Sequence, residues 1–162
     1  MKPVAVLLTH GHFDHCGGAK PIVEKYGVPV YGSEKDAALA ASASKNLWGV
    51  FCHDCKITDY VDGIDSFSVG GFSFGVMQTP GHTPGGVCYF IDDIMFSGDT
   101  LFKECIGRID LPGGDYREMM DSLSKIALID KNYKVYAGHE EDTDLFHEFR
   151  FNPYLSAFKR SK

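Results

Sequence analysis

Thr9-His10-Gly11-His12-Phe13-Asp14-His15 is the stretch that decides how this chain reads. Three imidazoles and one carboxylate fall between positions 10 and 15, directly after the apolar run Val4 to Leu8. The run reads as a buried strand, and the cluster as the loop at its C-terminal end. Imidazole nitrogen with carboxylate oxygen suits zinc or iron better than calcium. The bland alternative is a polar loop that is merely rich in histidine. Against it stands a spacing that can serve a pair of ions.

The rest of the chain bounds the classes open to it. Its 162 residues suggest a single domain, 1–162, with a real core. A hydrophobic content of 44% and a charged content of 23% are ordinary for a globular protein. The formal net charge of -6 and the lack of a Lys/Arg cluster argue against nucleic acid as a partner. No apolar stretch approaches the length of a membrane span, so no membrane partner is expected. The start of the chain is too short in apolar residues for a signal-peptide core. Five cysteines, an odd number in a chain of this size, point to reduced thiols and a cytoplasmic setting.

Working outward, Gly17-Gly18 releases the chain into a predicted helix over Ala19 to Tyr26, ended by Gly27, and Val28 to Tyr31 reads as a strand. Ser33 with Asp36 resembles a capping box that starts a helix over Ala37 to Ala43. Residues 44 to 56 are irregular and hold the single tryptophan, Trp48. Ile57-Val61, Ser66-Val69 and Phe72-Gln78 read as strands, the last two joined at Gly70-Gly71. Val87-Ile91 and Ile94-Ser97 form a second hairpin. Asp115 opens a helix with Met119, Leu123, Ile126 and Ala127 on one face. Val135-Ala137 is a short strand, the acidic run Glu140 to Asp144 is a helix N-terminal turn, and a last helix follows Thr143. The order is α/β with extra antiparallel hairpins, which predicts sheets covered by helices.

Three further segments share one design, in which a strand runs into Gly or Pro and a ligand-type residue follows. They are Thr79-Pro80-Gly81-His82, Gly98-Asp99-Thr100 and Gly138-His139-Glu140. Each alone is weak, since a lone histidine after a strand is more often structural. As a set they supply the donors that a two-metal site would still lack.

At this point the chain resembles the metallo-β-lactamase fold superfamily. The matching motifs are T-H-G-H-F-D-H at 9–15, T-P-G-H-T-P-G at 79–85, S-G-D-T-L-F at 97–102 and A-G-H-E at 137–140. The segment Gly98 to Asp115, with Asn152-Pro153-Tyr154, looks like the branch of glyoxalase II-like thioester hydrolases and persulfide dioxygenases rather than the antibiotic-hydrolysing branch. The resemblance implies an αββα sandwich and a metal set carried over by position. His10, His12 and His82 would hold one ion, Asp14, His15 and His139 the other, and Asp99 would bridge them. Asp14 and Asp99 double as the catalytic carboxylates. Two divalent ions are implied, with zinc expected and iron or manganese as alternatives.

The function so implied is hydrolysis of a thioester or related small ester by a hydroxide that the ions hold. The alternatives are a mononuclear iron enzyme of the persulfide dioxygenase type, using His82 and Asp99 with His10, His12 or a neighbour, and a truncated, catalytically silent metal-binding or oligomerising protein. No protein nucleophile is required, so Cys16 reads as a small core residue and Cys52-His53-Asp54-Cys55 as a reduced pair. His147 reads as a surface or packing residue. Phe146, Phe149, Phe151 and Phe158 read as helix packing or as the lining of a substrate entrance. The family's domain normally begins with strands ahead of the H-x-H-x-D-H strand, which here starts at Val4. An N-terminally truncated sandwich with an uncovered sheet edge is the expectation, and with it a homo-oligomer.

Overall fold

The computed structural model describes residues 2–159. Three β-sheets organise them. The first is parallel, in the order β1 (Val6–Leu7), β2 (Val30–Gly32), β3 (Asp59–Tyr60). The second has six strands, in the order β11 (Thr143–Asp144), β10 (Lys134–Ala137), β7 (Ile94–Gly98), β6 (Val87–Ile91), β5 (Phe72–Gln78), β4 (Ser66–Val69). All its pairings are antiparallel except β10 with β7. The third is a small ribbon of β8 (Leu101–Phe102) and β9 (Cys105–Ile106).

Apolar residues sort into the layers of an αββα sandwich. Leu8, Val30 and Ile57 of the first sheet region pack with Cys16, Ala19 and Ala40 from α1 (Phe13–Cys16), α2 (Ala19–Tyr26) and α3 (Ala37–Ala40). Between the two sheets lie Val61, Val76, Val87 and Tyr89, with Leu7, Tyr31 and Phe67 against them. On the far side, Met95 and Val135 of the second sheet meet Met119, Leu123 and Ile126 of α4 (Tyr116–Ile126). Leu145 of α5 (Leu145–Phe151) and Leu155, just before α6 (Ser156–Lys159), extend that core. Each fully buried Leu, Ile or Met side chain contributes roughly 1.5–3 kcal/mol.

Several expected elements are shorter or differently used. Of Val4 to Leu8 only Val6–Leu7 pair as strand, and of Ile57 to Val61 only Asp59–Tyr60, because β2 between them offers three residues. The helix predicted over Ala37 to Ala43 stops at Ala40, and a 3-10 turn, Ala43–Lys45, follows. Ser33 does cap by accepting from Lys35 N, but Asp36 turns into the protein instead of completing the box. Within the acidic run only Asp144 caps α5, accepting from His147 N at 3.0 Å, while Thr143–Asp144 add β11 to the sheet. Asp115 caps α4 as expected, accepting from Glu118 N at 2.9 Å. Phe149 and Phe158 pack on the core, whereas Phe146 and Phe151 are exposed. His147 sits at the surface against Glu104, 2.9 Å away. All five cysteines are free thiols. Among the described residues no helix is long and apolar enough to cross a membrane.

Candidate metal centre

The four segments singled out in the sequence end at one edge of the sandwich. His10 and His12 follow β1, and the cluster then winds into α1, a one-turn helix that the sequence pattern did not reveal and that presents Asp14 and His15. Thr79 to His82 follow β5. Asp99 follows β7 and His139 follows β10, side by side because the parallel register pairs Ala137 with Gly98. The Gly138 N–H donates to the Gly98 carbonyl at 2.9 Å and locks those two loops together.

The seven side chains converge. The donor atoms of His10, His12 and His82 lie within 4.8 Å of one another, as do those of Asp14, His15 and His139. His12 Nδ1 is 2.9 Å from His82 Nε2, and His15 Nε2 is 3.2 Å from His139 Nε2. Nitrogens ligating one tetrahedral ion at bonds of ~2.0–2.1 Å would sit roughly 3.3 Å apart, so both spacings suit a shared cation. Asp99 stands between the groups. One oxygen is 3.4 Å from His82 Nε2 and the other 3.3 Å from His15 Nε2.

Among the described residues, two buried atoms at the middle of this arrangement, His10 Nε2 and Asp99 Oδ1, make no hydrogen bond, although Asp99 Oδ1 faces His15 Nε2 at 3.3 Å. Such orphans are rare because each forfeits its solvation without compensation. A bound cation removes the anomaly, and an imidazole and carboxylate donor set fits one. Burial, the largest cause in each case, holds the imidazoles of His10, His12 and His15 below the usual histidine range, which keeps their lone pairs free near neutral pH. His82 Nδ1 lies 2.6 Å from the Arg108 carbonyl, which fixes its N–H there and turns Nε2 to the centre. Thr9 Oγ1 orients the His10 ring through Nδ1, at 3.3 Å.

One supporting residue escaped the sequence reading. Asp36 is 1% exposed and accepts from Gly11 N at 2.8 Å, Thr83 Oγ1 at 2.7 Å and Gly85 N at 2.8 Å. It therefore ties the His10–His12 loop to the His82 loop. Close packing completes the frame. At Gly81, where φ is +139°, a Cβ would run into the backbone of Met119 on α4. At Gly138 a Cβ would strike Asp99 Oδ1 and the His15 ring.

The two groups differ in exposure: His10 and His82 are buried, while Asp14 and His139 are exposed. The exposed side opens into a cavity of about 520 Å³ lined by Phe13, Trp48, Phe102, Ile106 and Leu111. Cys16 faces away, donating to the Gly11 carbonyl, and burial pushes its thiol up to about 12. Among the described residues, Cys52, His53 and Cys55 belong to no group of converging metal-ligand atoms.

Comparison with known proteins agrees with this geometry. The family model of the metallo-β-lactamase superfamily matches residues 1–139. A probable metallo-hydrolase, YqgX of Bacillus subtilis, is 35% identical over 98% of this chain and 78% of its own length. Hydroxyacylglutathione hydrolase GloC of Haemophilus influenzae is 34% identical over 94% of this chain and 76% of its own. Among solved structures, the BLEG-1 B3 metallo-β-lactamase superimposes with a TM-score of 0.88 at 34% identity, covering 96% of this chain and 78% of that one. TTHA1623 in a di-iron-bound form gives 0.84 at 36% identity, covering 94% and 78%. ETHE1 from Myxococcus xanthus gives 0.72 at 29% identity, covering 95% and 63%. Family model, relatives and metal-ligand geometry agree that the chain belongs to the metallo-β-lactamase superfamily, with relatives in its glyoxalase II-like branch.

Proposed function

We propose that the chain is a binuclear metallohydrolase acting on a thioester or related small ester. The observation that carries this reading is the pair of orphaned buried atoms, His10 Nε2 and Asp99 Oδ1, inside seven converging donors. His10, His12 and His82 would hold one ion and Asp14, His15 and His139 the second, with Asp99 within reach of both groups. When bound, such ions would supply polarisation of a carbonyl and a lowered pKa for water.

The chain's own groups do the rest. Asp14, exposed at the cavity floor, accepts a hydrogen bond from the attacking water and orients it. The Arg108 carbonyl holds the His82 ring in one tautomer, and the Thr9 hydroxyl orients the His10 ring. Phe13, Trp48, Phe102 and Ile106 wall the cavity and keep bulk water from the reacting carbonyl. No side-chain nucleophile is needed, and Cys16, raised to about 12 and turned away, does not supply one. Support also comes from the relative named hydroxyacylglutathione hydrolase and from the similar di-iron structure. Zinc is the expected pair of ions and iron the alternative.

Elemental analysis of the purified protein, followed by turnover of a thioester, an aryl ester and a β-lactam, tests the reading. Near two ions per chain, with thioester turnover lost on chelation and in His12→Ala, is the expected result. One iron per chain with oxygen uptake on a persulfide would favour the dioxygenase reading. Preferential β-lactam turnover would favour the antibiotic-hydrolysing one. A ratio near zero with no turnover would favour a silent protein. Among the described residues β1 pairs only with β2, and its other edge supports the proposal of a homo-oligomer built there. A light-scattering mass equal to one chain would overturn that part.

A further inference from the structure

We propose that the loop from Asn46 to Val50, with Phe13 and Leu111, is an acyl-binding subsite that selects esters and thioesters whose acyl group is uncharged and apolar. This rests on the hydrolase reading above and adds the substrate class.

A second cavity of about 320 Å³ adjoins the one at the metal centre. The two share His12, Phe13, Trp48 and Leu111, so they meet across these four residues and a ligand with its carbonyl at the metal residues is directed toward the second space. Leu39, Ala43, Leu47 and Pro112 complete its apolar wall. Its polar members are mostly occupied. The Asn46 amide donates to the carbonyls of Ala43 and Val50 and accepts from the N–H groups of Trp48 and Val50. That fourfold clasp holds the loop in one shape. Ser42 Oγ donates back to the Ala38 carbonyl at 2.8 Å. What the loop presents outward beside these cavities is Leu47, Trp48 and Val50, which are 77, 53 and 48% exposed. Large apolar groups clustered beside a chemical site are surface that a ligand covers. The Trp48 ring already leans on Phe13, with centroids 5.5 Å apart.

Charge narrows the class further. Among the described residues, the one cationic side chain lining the metal cavity is Arg108, and Asp110 holds it with two bonds of 2.8 Å. Glu140 lines the same cavity. Lys45 alone stands at the rim of the apolar space. An acyl chain fits this lining, and a substrate recognised mainly through several carboxylates does not. A cavity of about 150 Å³ holds benzene, so the space suits an aryl group or a chain of about six to eight carbons.

Two measurements on the full chain test the proposal. In the first, kcat/KM is measured for acetyl, butyryl, hexanoyl and octanoyl thioesters of one neutral thiol. We expect a rise of about threefold per methylene up to hexanoyl, from the burial of each CH₂. In Trp48→Ala and Leu47→Ala the hexanoyl-to-acetyl ratio falls at least tenfold. In the second, Trp48, the only tryptophan, reports binding by its fluorescence. The probe is 2-octanone, a non-hydrolysable neutral ketone, titrated into metal-free and metal-loaded protein, with hexanoate as the charged control. In the metal-free form a saturable change with the ketone but not with hexanoate is expected, and the ketone response is expected to persist in the metal-loaded form, where a carboxylate would be a metal ligand. If the ketone binds and no ester turns over, the subsite stands and the hydrolase reading falls. If esters turn over at one rate whatever the chain length, the subsite is overturned and the hydrolase stands. A tighter response to hexanoate in the metal-free form overturns the claim about charge.

Discussion

Asp36 shows what a single residue contributes that its neighbours in sequence do not announce. Three donors, from residues 25, 47 and 49 positions away, meet its carboxylate. Read locally it is a helix-start residue, because Ser33 three positions before it is the usual partner in that pattern. The candidate metal-binding residues of the 10–15 cluster were legible for the opposite reason: imidazole and carboxylate declare their chemistry by type, and their tight spacing is local. Removing the Asp36 acceptor strands three donors inside the protein. Asp36→Ala is therefore expected to lower stability by about 3 kcal/mol or more, since each lost bond to a charged group costs on the order of 1.5–3 kcal/mol. Asp36→Asn keeps one acceptor oxygen and is expected to lose less. Denaturant unfolding of the chelated proteins separates this loss from any change in metal content. Equal midpoints for wild type and Asp36→Ala would show that the three bonds do not matter to the fold.

At the level of elements, α4 was the most readable helix and the H-x-H-x-D-H loop the least. The stripe of Met119, Leu123 and Ile126 recurs at helical spacing, and all three are fully buried. The α1 turn has no such stripe. It is held by tertiary packing of Cys16 and by its position over Cys52, neither of which leaves a periodic trace. Strand lengths were overestimated because an apolar run marks burial, while pairing depends on how much neighbouring strand is available. The readable helix also supports the site: Asp115 N donates to the Gly81 carbonyl at 2.8 Å, and Ser122 Oγ to the Pro80 carbonyl at 2.7 Å. The loop bearing His82 is thus fastened to the first two turns of α4. Asp115→Ala removes the N-cap and is expected to cost about 1 kcal/mol. Because the frayed turn underlies His82, metal affinity should drop with it, by a larger factor than in Glu118→Ala, which leaves the cap in place. Thermal melts with and without a chelator, together with a competitive metal titration, would show whether both effects travel together.

The whole molecule is joined across its sheets by few groups. The interlayer core is small, centred on Val61, Val76, Val87 and Tyr89, with the Tyr89 hydroxyl donating to the Leu8 carbonyl at 3.0 Å. On the proposed metal site, bound ions would add to this join, since His10, His12, Asp14 and His15 follow the first sheet while His82, Asp99 and His139 follow the second. Ions bound by both halves favour the folded chain by mass action, about 4 kcal/mol when free metal is a thousandfold above Kd. Chelation should therefore lower the melting temperature by many degrees. The loss should come in two stages, because the group of Asp14, His15 and His139 is the more open and that of His10, His12 and His82 the more enclosed. A chelator titration followed by metal analysis is expected to pass through a plateau near one ion per chain. His139→Ala should start at that plateau, with a melting temperature between those of the loaded and the stripped protein. If His139→Ala instead loses both ions together, the two groups act as one cooperative centre. The exposed histidine would then be as essential to the join between the sheets as the buried ones.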